Sequence, residues 1–137
     1  MPVAELTEPE LAAWGDRFGR ELSLPACVVL EGDLGAGKTT LVRAIARAQG
    51  ALEPVTSPTF SLVHEYHSPR GQVFHLDLYR LKGPEQLAQL GWEDIVREGG
   101  LMLVEWPDRA RGELPEDHIT LRLEHVPGKA DVRRLTW

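Results

Sequence analysis

The chain has a single cysteine, Cys27, among its 137 residues. One thiol can form neither an internal disulfide nor a cysteine-based zinc cluster, which fits a reducing compartment and stability drawn from a packed core. Cys27 lies in an apolar run and reads as a small core residue rather than a nucleophile. No stretch of about 18 consecutive apolar residues occurs, and the N-terminus has neither the basic start nor the apolar run of a signal peptide, so a soluble, cytoplasmic protein without membrane contact is expected. Excess basic charge is missing too. The formal net charge of −6 argues against general affinity for DNA or RNA through phosphate neutralisation, so that nucleic acid is expected to be met through a partner. His64, His67, His75, His118 and His125 show no metal-ligand spacing and read as surface or satisfied histidines. Ser, Cys and His form no recognisable nucleophilic triad, and neither an internal repeat nor a guanine-reading N-K-x-D motif is present. The length suits one domain, residues 1–137, able to bury about two-thirds of its unfolded surface.

What the chain does have is a phosphate loop. Gly32, Asp33, Leu34, Gly35, Ala36, Gly37, Lys38, Thr39 and Thr40 read GDLGAGKTT and fit G-x-x-x-x-G-K-[ST] at every fixed position. The apolar run Ala26–Leu30 before it suits a buried strand, and Leu41, Val42, Ile45 and Ala46 after it recur at helical spacing. Glycines at 32, 35 and 37 let successive N–H groups turn inward as a nest for phosphate oxygens, and the helix start adds its free N–H groups and positive dipole end. Lys38 is expected to reach the β- and γ-phosphates and the Thr39 hydroxyl to ligate Mg²⁺.

Around this centre, Thr7-Glu8-Pro9-Glu10 predicts a capping box opening a helix that runs to about Glu21, with Leu11, Trp14, Phe18 and Leu22 facing the core. Leu62–Tyr66 and Val73–Leu78, joined through Ser68-Pro69-Arg70-Gly71, predict a hairpin and therefore a mixed sheet. Gly83 to about Arg97 reads as helix with a break at Gly91, and Leu101–Val104 as a central strand covered on both faces. Ile119–Leu123 alternates as a half-exposed strand, and Val132–Trp137 is expected to pair back on it as an edge strand. The fold class is α/β: a P-loop NTPase-like domain whose mixed parallel and antiparallel central sheet is flanked by helices.

A nucleotide hydrolase needs a carboxylate at a strand end beside the loop. Glu105, after the most apolar run, and Asp77, in His75-Leu76-Asp77, are the two candidates. Ser57-Pro58-Thr59 has two readings: a proline turn, or a switch whose hydroxyl meets Mg²⁺ only when the γ-phosphate is bound.

Taken together, GDLGAGKTT, SPTF at Ser57–Phe60, HLDLYR at His75–Arg80 and LVEWP at Leu103–Pro107 closely resemble the TsaE (YjeE) family of small bacterial P-loop ATPases, from the first helix to about Pro107. The resemblance implies a role in forming threonylcarbamoyladenosine beside the anticodon of tRNA, in support of the TsaD–TsaB pair that transfers the threonylcarbamoyl group, with ATP and Mg²⁺ as cofactors. By motif position it makes Gly35 to Thr40 the phosphate site, Thr39 with Glu105 the Mg²⁺ ligands, Asp77 a catalytic or metal-facing acid, Thr59 a switch hydroxyl and Trp106 a neighbour of the active site. Leu11 stands where the family is expected to carry a threonine near the nucleotide, and Arg133 or Arg134 is a candidate to close over it from the last strand.

The leading expectation is a weak ATPase coupled to a protein complex, because the short chain leaves no lid domain or dedicated acceptor pocket. Two rivals are an ATP-gated binding module with little turnover and a small-molecule kinase.

Overall fold

The computed structural model describes residues 1–33, 35–52, 62–110 and 112–137. Strands β1 (Val3–Thr7), β2 (Ala26–Glu31), β3 (Val63–Tyr66), β4 (Val73–Asp77), β5 (Leu101–Glu105), β6 (Ile119–Val126) and β7 (Lys129–Thr136) form one seven-stranded sheet ordered β1-β7-β6-β2-β5-β4-β3. The central strands β6, β2, β5 and β4 run parallel, and antiparallel partners flank them: β3 on β4, and β7 then β1 on β6. The expected mixed sheet and the hairpin at residues 63–77 are both present.

Helices cover both faces. Alternation along β2 and β5 sends Val28, Leu30, Leu101 and Leu103 to the face under α1 (Glu8–Glu21) and α2 (Lys38–Ala48). Cys27, Val29, Met102 and Val104 go to the face under α3 (Pro84–Gln89), α4 (Trp92–Glu98) and a 3₁₀ turn at Pro107–Ala110. Fully burying a side chain of this size stabilises by about 1.5–3 kcal/mol, so both layers are firmly anchored to the sheet.

α1 begins with the predicted capping box: the Thr7 backbone N–H donates to Glu10 Oε1 at 3.0 Å while the Glu10 N–H donates to Thr7 Oγ1 at 3.5 Å. It lies very close to α2, because Gly15 and Gly19 face Ala44 and Ala48; a Cβ on Gly19 would stand 2.8 Å from both the Ala48 Cβ and the Ile45 carbonyl oxygen. The buried Gln49 amide then donates to the Gly19 carbonyl and fixes the far end of the pair. Trp14 stacks on Phe18 at 5.0 Å between centroids and meets Trp137 at 5.2 Å, so it packs with the core rather than turning towards a ligand. The helical stretch from residue 84 breaks at Gly91, as expected.

One expectation is corrected. The last strand does pair with β6, but it is not an edge: β1 lies along its other side, with Val3 opposite Thr136 and Thr7 opposite Val132. β1 has five residues and its pattern is cut short by the capping box, so only its distant partner reveals it. Among the described residues no helix is long and apolar enough to cross a membrane.

Candidate functional site

The parallel strands deliver their carboxyl ends to one edge, where ligands of α/β sheets bind. In register, Leu30 of β2 stands beside Glu105 of β5, which stands beside Asp77 of β4. The glycine loop leaves β2 at this edge, and a turn in which the Ala36 N–H donates to the Asp33 carbonyl at 3.0 Å starts it back towards α2. Gly37 caps α2 with φ of 100°, a left-handed conformation costly for any residue with a Cβ, and it directs Lys38 into the first turn.

Lys38 is only 6% exposed. Its ammonium donates to the Gly32 carbonyl at 2.6 Å and lies 4.0 Å above the Trp106 ring. Burial pushes its pKa below the usual lysine value, and the Glu105, Asp77 and Asp33 carboxylates partly oppose that shift. Trp106 has φ of 57°, a strained conformation for a bulky residue, and its ring also meets Tyr79 at 4.8 Å. Glu105 is buried, with Oε2 2.5 Å from His75 Nε2. Asp77 is half-buried, and its Oδ1 accepts the Tyr79 N–H at 3.1 Å.

These groups border a cavity of about 730 Å³, within the range of small-molecule sites. Gly35, Gly37, Lys38, Thr39 and Thr40 form one wall, Asp77, Glu105 and Trp106 a second, and Thr7 to Pro9 with Leu11 a third. Arg133 closes the fourth, donating from Nη2 to the Gly35 carbonyl at 3.2 Å and from Nη1 to the Ala130 carbonyl at 2.8 Å. Arg134, the other arginine considered, points elsewhere and pairs with Glu5 on β1 at 3.2 Å. Leu11 is buried against Gly37, so that position of α1 offers the cavity hydrocarbon rather than a hydroxyl. Ala36 has its side chain in the core. Leu34, Ser57 and Thr59 lie outside the described residues.

Gly32 and Asp33 border a second cavity, about 890 Å³, on the other side of Trp106 and continuing past the 3₁₀ turn to His118 and Arg122. The short length after the loop did not anticipate it. Sequence reasoning also missed the contact of His75 with Glu105 behind the cavity; its signal was the position two residues before Asp77 in a strand, which puts both on one face.

The family model described as "Threonylcarbamoyl adenosine biosynthesis protein TsaE" matches residues 6–134, from the end of β1 into β7. The chain belongs to the TsaE family. Proteins named "tRNA threonylcarbamoyladenosine biosynthesis protein TsaE" from Treponema pallidum and Rickettsia bellii are 40% and 37% identical to it, covering 90% of both chains in the first case and 86% of this chain and 82% of the relative in the second. The protein of that name from Haemophilus influenzae is 42% identical over 72% of this chain and 62% of its own. A crystal structure of Bacillus subtilus YdiB superposes with a TM-score of 0.71 at 25% identity, covering 98% of this chain and 85% of that one. The TsaE match thus extends beyond the four motifs into the last two strands, where the motifs alone gave little likeness.

Proposed function

We propose that this TsaE-family chain binds ATP with Mg²⁺ in the 730 Å³ cavity and hydrolyses it slowly, in support of threonylcarbamoyladenosine formation on tRNA by the TsaD–TsaB pair. One observation carries the reading: the Lys38 ammonium and the Glu105 and Asp77 carboxylates border a single cavity at the start of α2, beside a glycine loop. Phosphate oxygens would replace the Gly32 carbonyl and the Trp106 ring as neighbours of Lys38, while the loop N–H groups and the helix dipole take up the remaining charge. Arg133 would lie along the loop from the opposite wall. Asp77 would orient the attacking water, since its carboxylate stands at the strand end facing the cavity. Thr59 stays the candidate switch hydroxyl.

The donor set fits Mg²⁺. Thr39 and Glu105 offer hard oxygen atoms from two walls of the same cavity, and among the described residues no group of three or more His, Cys, Asp or Glu forms a metal cage. Mg²⁺ is ordinarily held by one or two protein oxygens together with substrate phosphates and waters. When bound, it would neutralise charge developing on the phosphate oxygens.

The net charge of −6 favours contact with tRNA through the partner proteins rather than directly. The test is ATP hydrolysis by the purified chain, alone and with TsaD–TsaB, with Lys38→Ala as the blank. Turnover rising severalfold with the pair is expected. Tight ATP binding with no turnover in either case would replace the ATPase by a gated binding module. The second cavity, beside Trp106, favours one other reading, phosphoryl transfer to a small acceptor; transfer of radiolabelled phosphate to a metabolite panel would establish it.

A further inference from the structure

His75 is 1% exposed and makes one side-chain hydrogen bond among the described residues, from Nε2 to Glu105 Oε2 at 2.5 Å. A carboxylate can only accept, so the ring donates from Nε2. Its Nδ1 is buried with no partner among the described residues. That orphaned nitrogen costs stability, and a leucine would fill the same place in the sheet without it. What the histidine supplies and a leucine cannot is a fixed donor behind the Glu105 carboxylate.

The register explains how the contact arises. His75 lies opposite Leu103, and Asp77 lies opposite Glu105, so His75 stands one pleat back from the cavity on the same face of the sheet. Between the Glu105 backbone and its carboxylate are three rotatable bonds, and no other side-chain hydrogen bond to that carboxylate is found among the described residues. Held by Oε2, the group is left with Oε1 for the cavity.

We propose that His75 is a positioning residue: by holding Glu105 Oε2 it keeps the other carboxylate oxygen directed at the Mg²⁺–phosphate side of the nucleotide site. This inference rests on the proposed MgATP site. A group hydrogen-bonded to a metal ligand or to an acid that holds a metal-bound water typically changes metal affinity by about 10- to 100-fold when removed.

The test is equilibrium calorimetry of ATP binding to the full chain with and without Mg²⁺, which reads the metal's contribution without turnover. His75→Leu is expected to cut the enhancement by Mg²⁺ at least about tenfold while leaving metal-free ATP affinity within twofold. His75→Gln, whose amide nitrogen can take the place of Nε2, is expected to restore most of it. If His75→Leu fails to fold, His75→Asn replaces it, since its amide is too short to reach Glu105. A wild-type chain indifferent to Mg²⁺ would overturn the site reading and this inference with it. A Mg²⁺-sensitive wild type with unchanged His75→Leu and His75→Asn overturns the inference alone. So does an equal loss of affinity with and without the metal, the mark of a merely structural histidine.

Discussion

Replacing Lys38 by methionine separates the stability of the empty protein from its affinity for nucleotide. The ammonium is 6% exposed and donates to one carbonyl at 2.6 Å beneath an aromatic ring at 4.0 Å. Losing the charge-assisted hydrogen bond costs about 1.5–3 kcal/mol, and losing the cation–π contact about 0.5–2 kcal/mol. Against this, the charge no longer has to be desolvated, which contributes several kcal/mol in the opposite direction, and a thioether packs against the Trp106 ring for about 0.3–1.5 kcal/mol. The terms nearly cancel, so urea unfolding without nucleotide should move by no more than about 1 kcal/mol. ATP affinity, which depends on Lys38 reaching the phosphates, should fall by about 100-fold or more, or roughly 3 kcal/mol.

The pH dependence carries a sign. The folded-state pKa of Lys38 lies below the ordinary lysine value of 10.5, so folding disfavours the ammonium. That penalty is fully present below the folded pKa and relieved as pH rises towards 10.5, where the unfolded chain binds more protons than the folded one. Wild-type stability should therefore gain on Lys38→Met through this alkaline window. An empty Lys38→Met protein destabilised by more than about 3 kcal/mol would mean that burial of the ammonium is a net stabiliser and would refute the reasoning.

Three further outcomes follow from the geometry. Gly19→Ala, which drives a methyl to 2.8 Å from Ala48 Cβ, should destabilise by about 1–3 kcal/mol in thermal unfolding; an unchanged midpoint would show that α1 and α2 can move apart freely. The Cys27 thiol is buried and its pKa is pushed up to about 12 by desolvation and then by Asp117, so thiol reagents at pH 8 should label it only under unfolding conditions. Asp77→Ala and Glu105→Ala should lose more turnover than ATP binding, read by steady-state kinetics beside calorimetry; full hydrolysis by Glu105→Ala would end its assigned role.

The features legible in the sequence are those written within one turn or one strand. The phosphate loop has fixed spacing, the capping box spans four residues from Thr7 to Glu10, and the break at Gly91 marks where one helix stops. What was not legible depends on pairing between distant segments. Five residues, Val3–Thr7, become a strand only beside residues 132–136, and that pairing moves β7 from the edge to the interior. Arg133 and Arg134 are indistinguishable by local pattern; the register puts Arg134 beside Glu5 and sends Arg133 to the loop. His75 was weighed as a metal ligand by spacing among histidines, whereas its partner is a carboxylate 30 residues later, brought near by the pairing of β4 and β5.

The interior place of β7 also fixes when the site can exist during synthesis. The loop and α2 follow β2 directly and Asp77, Glu105 and Trp106 come from mid-chain, but the cavity's other two walls come from the two ends of the sequence: Thr7 to Leu11 on one side, Ala130 to Arg133 on the other. β1 has no strand to lie against until β7 has been made, because among the described residues its single neighbour in the sheet is β7. Closing a pairing of such long sequence separation is slow and comes late. A nascent chain stalled before residue 129 would carry the loop and α2 but an open, three-walled cavity, so under the proposed function it is expected to hold nucleotide less well than a chain in which β1 and β7 have paired.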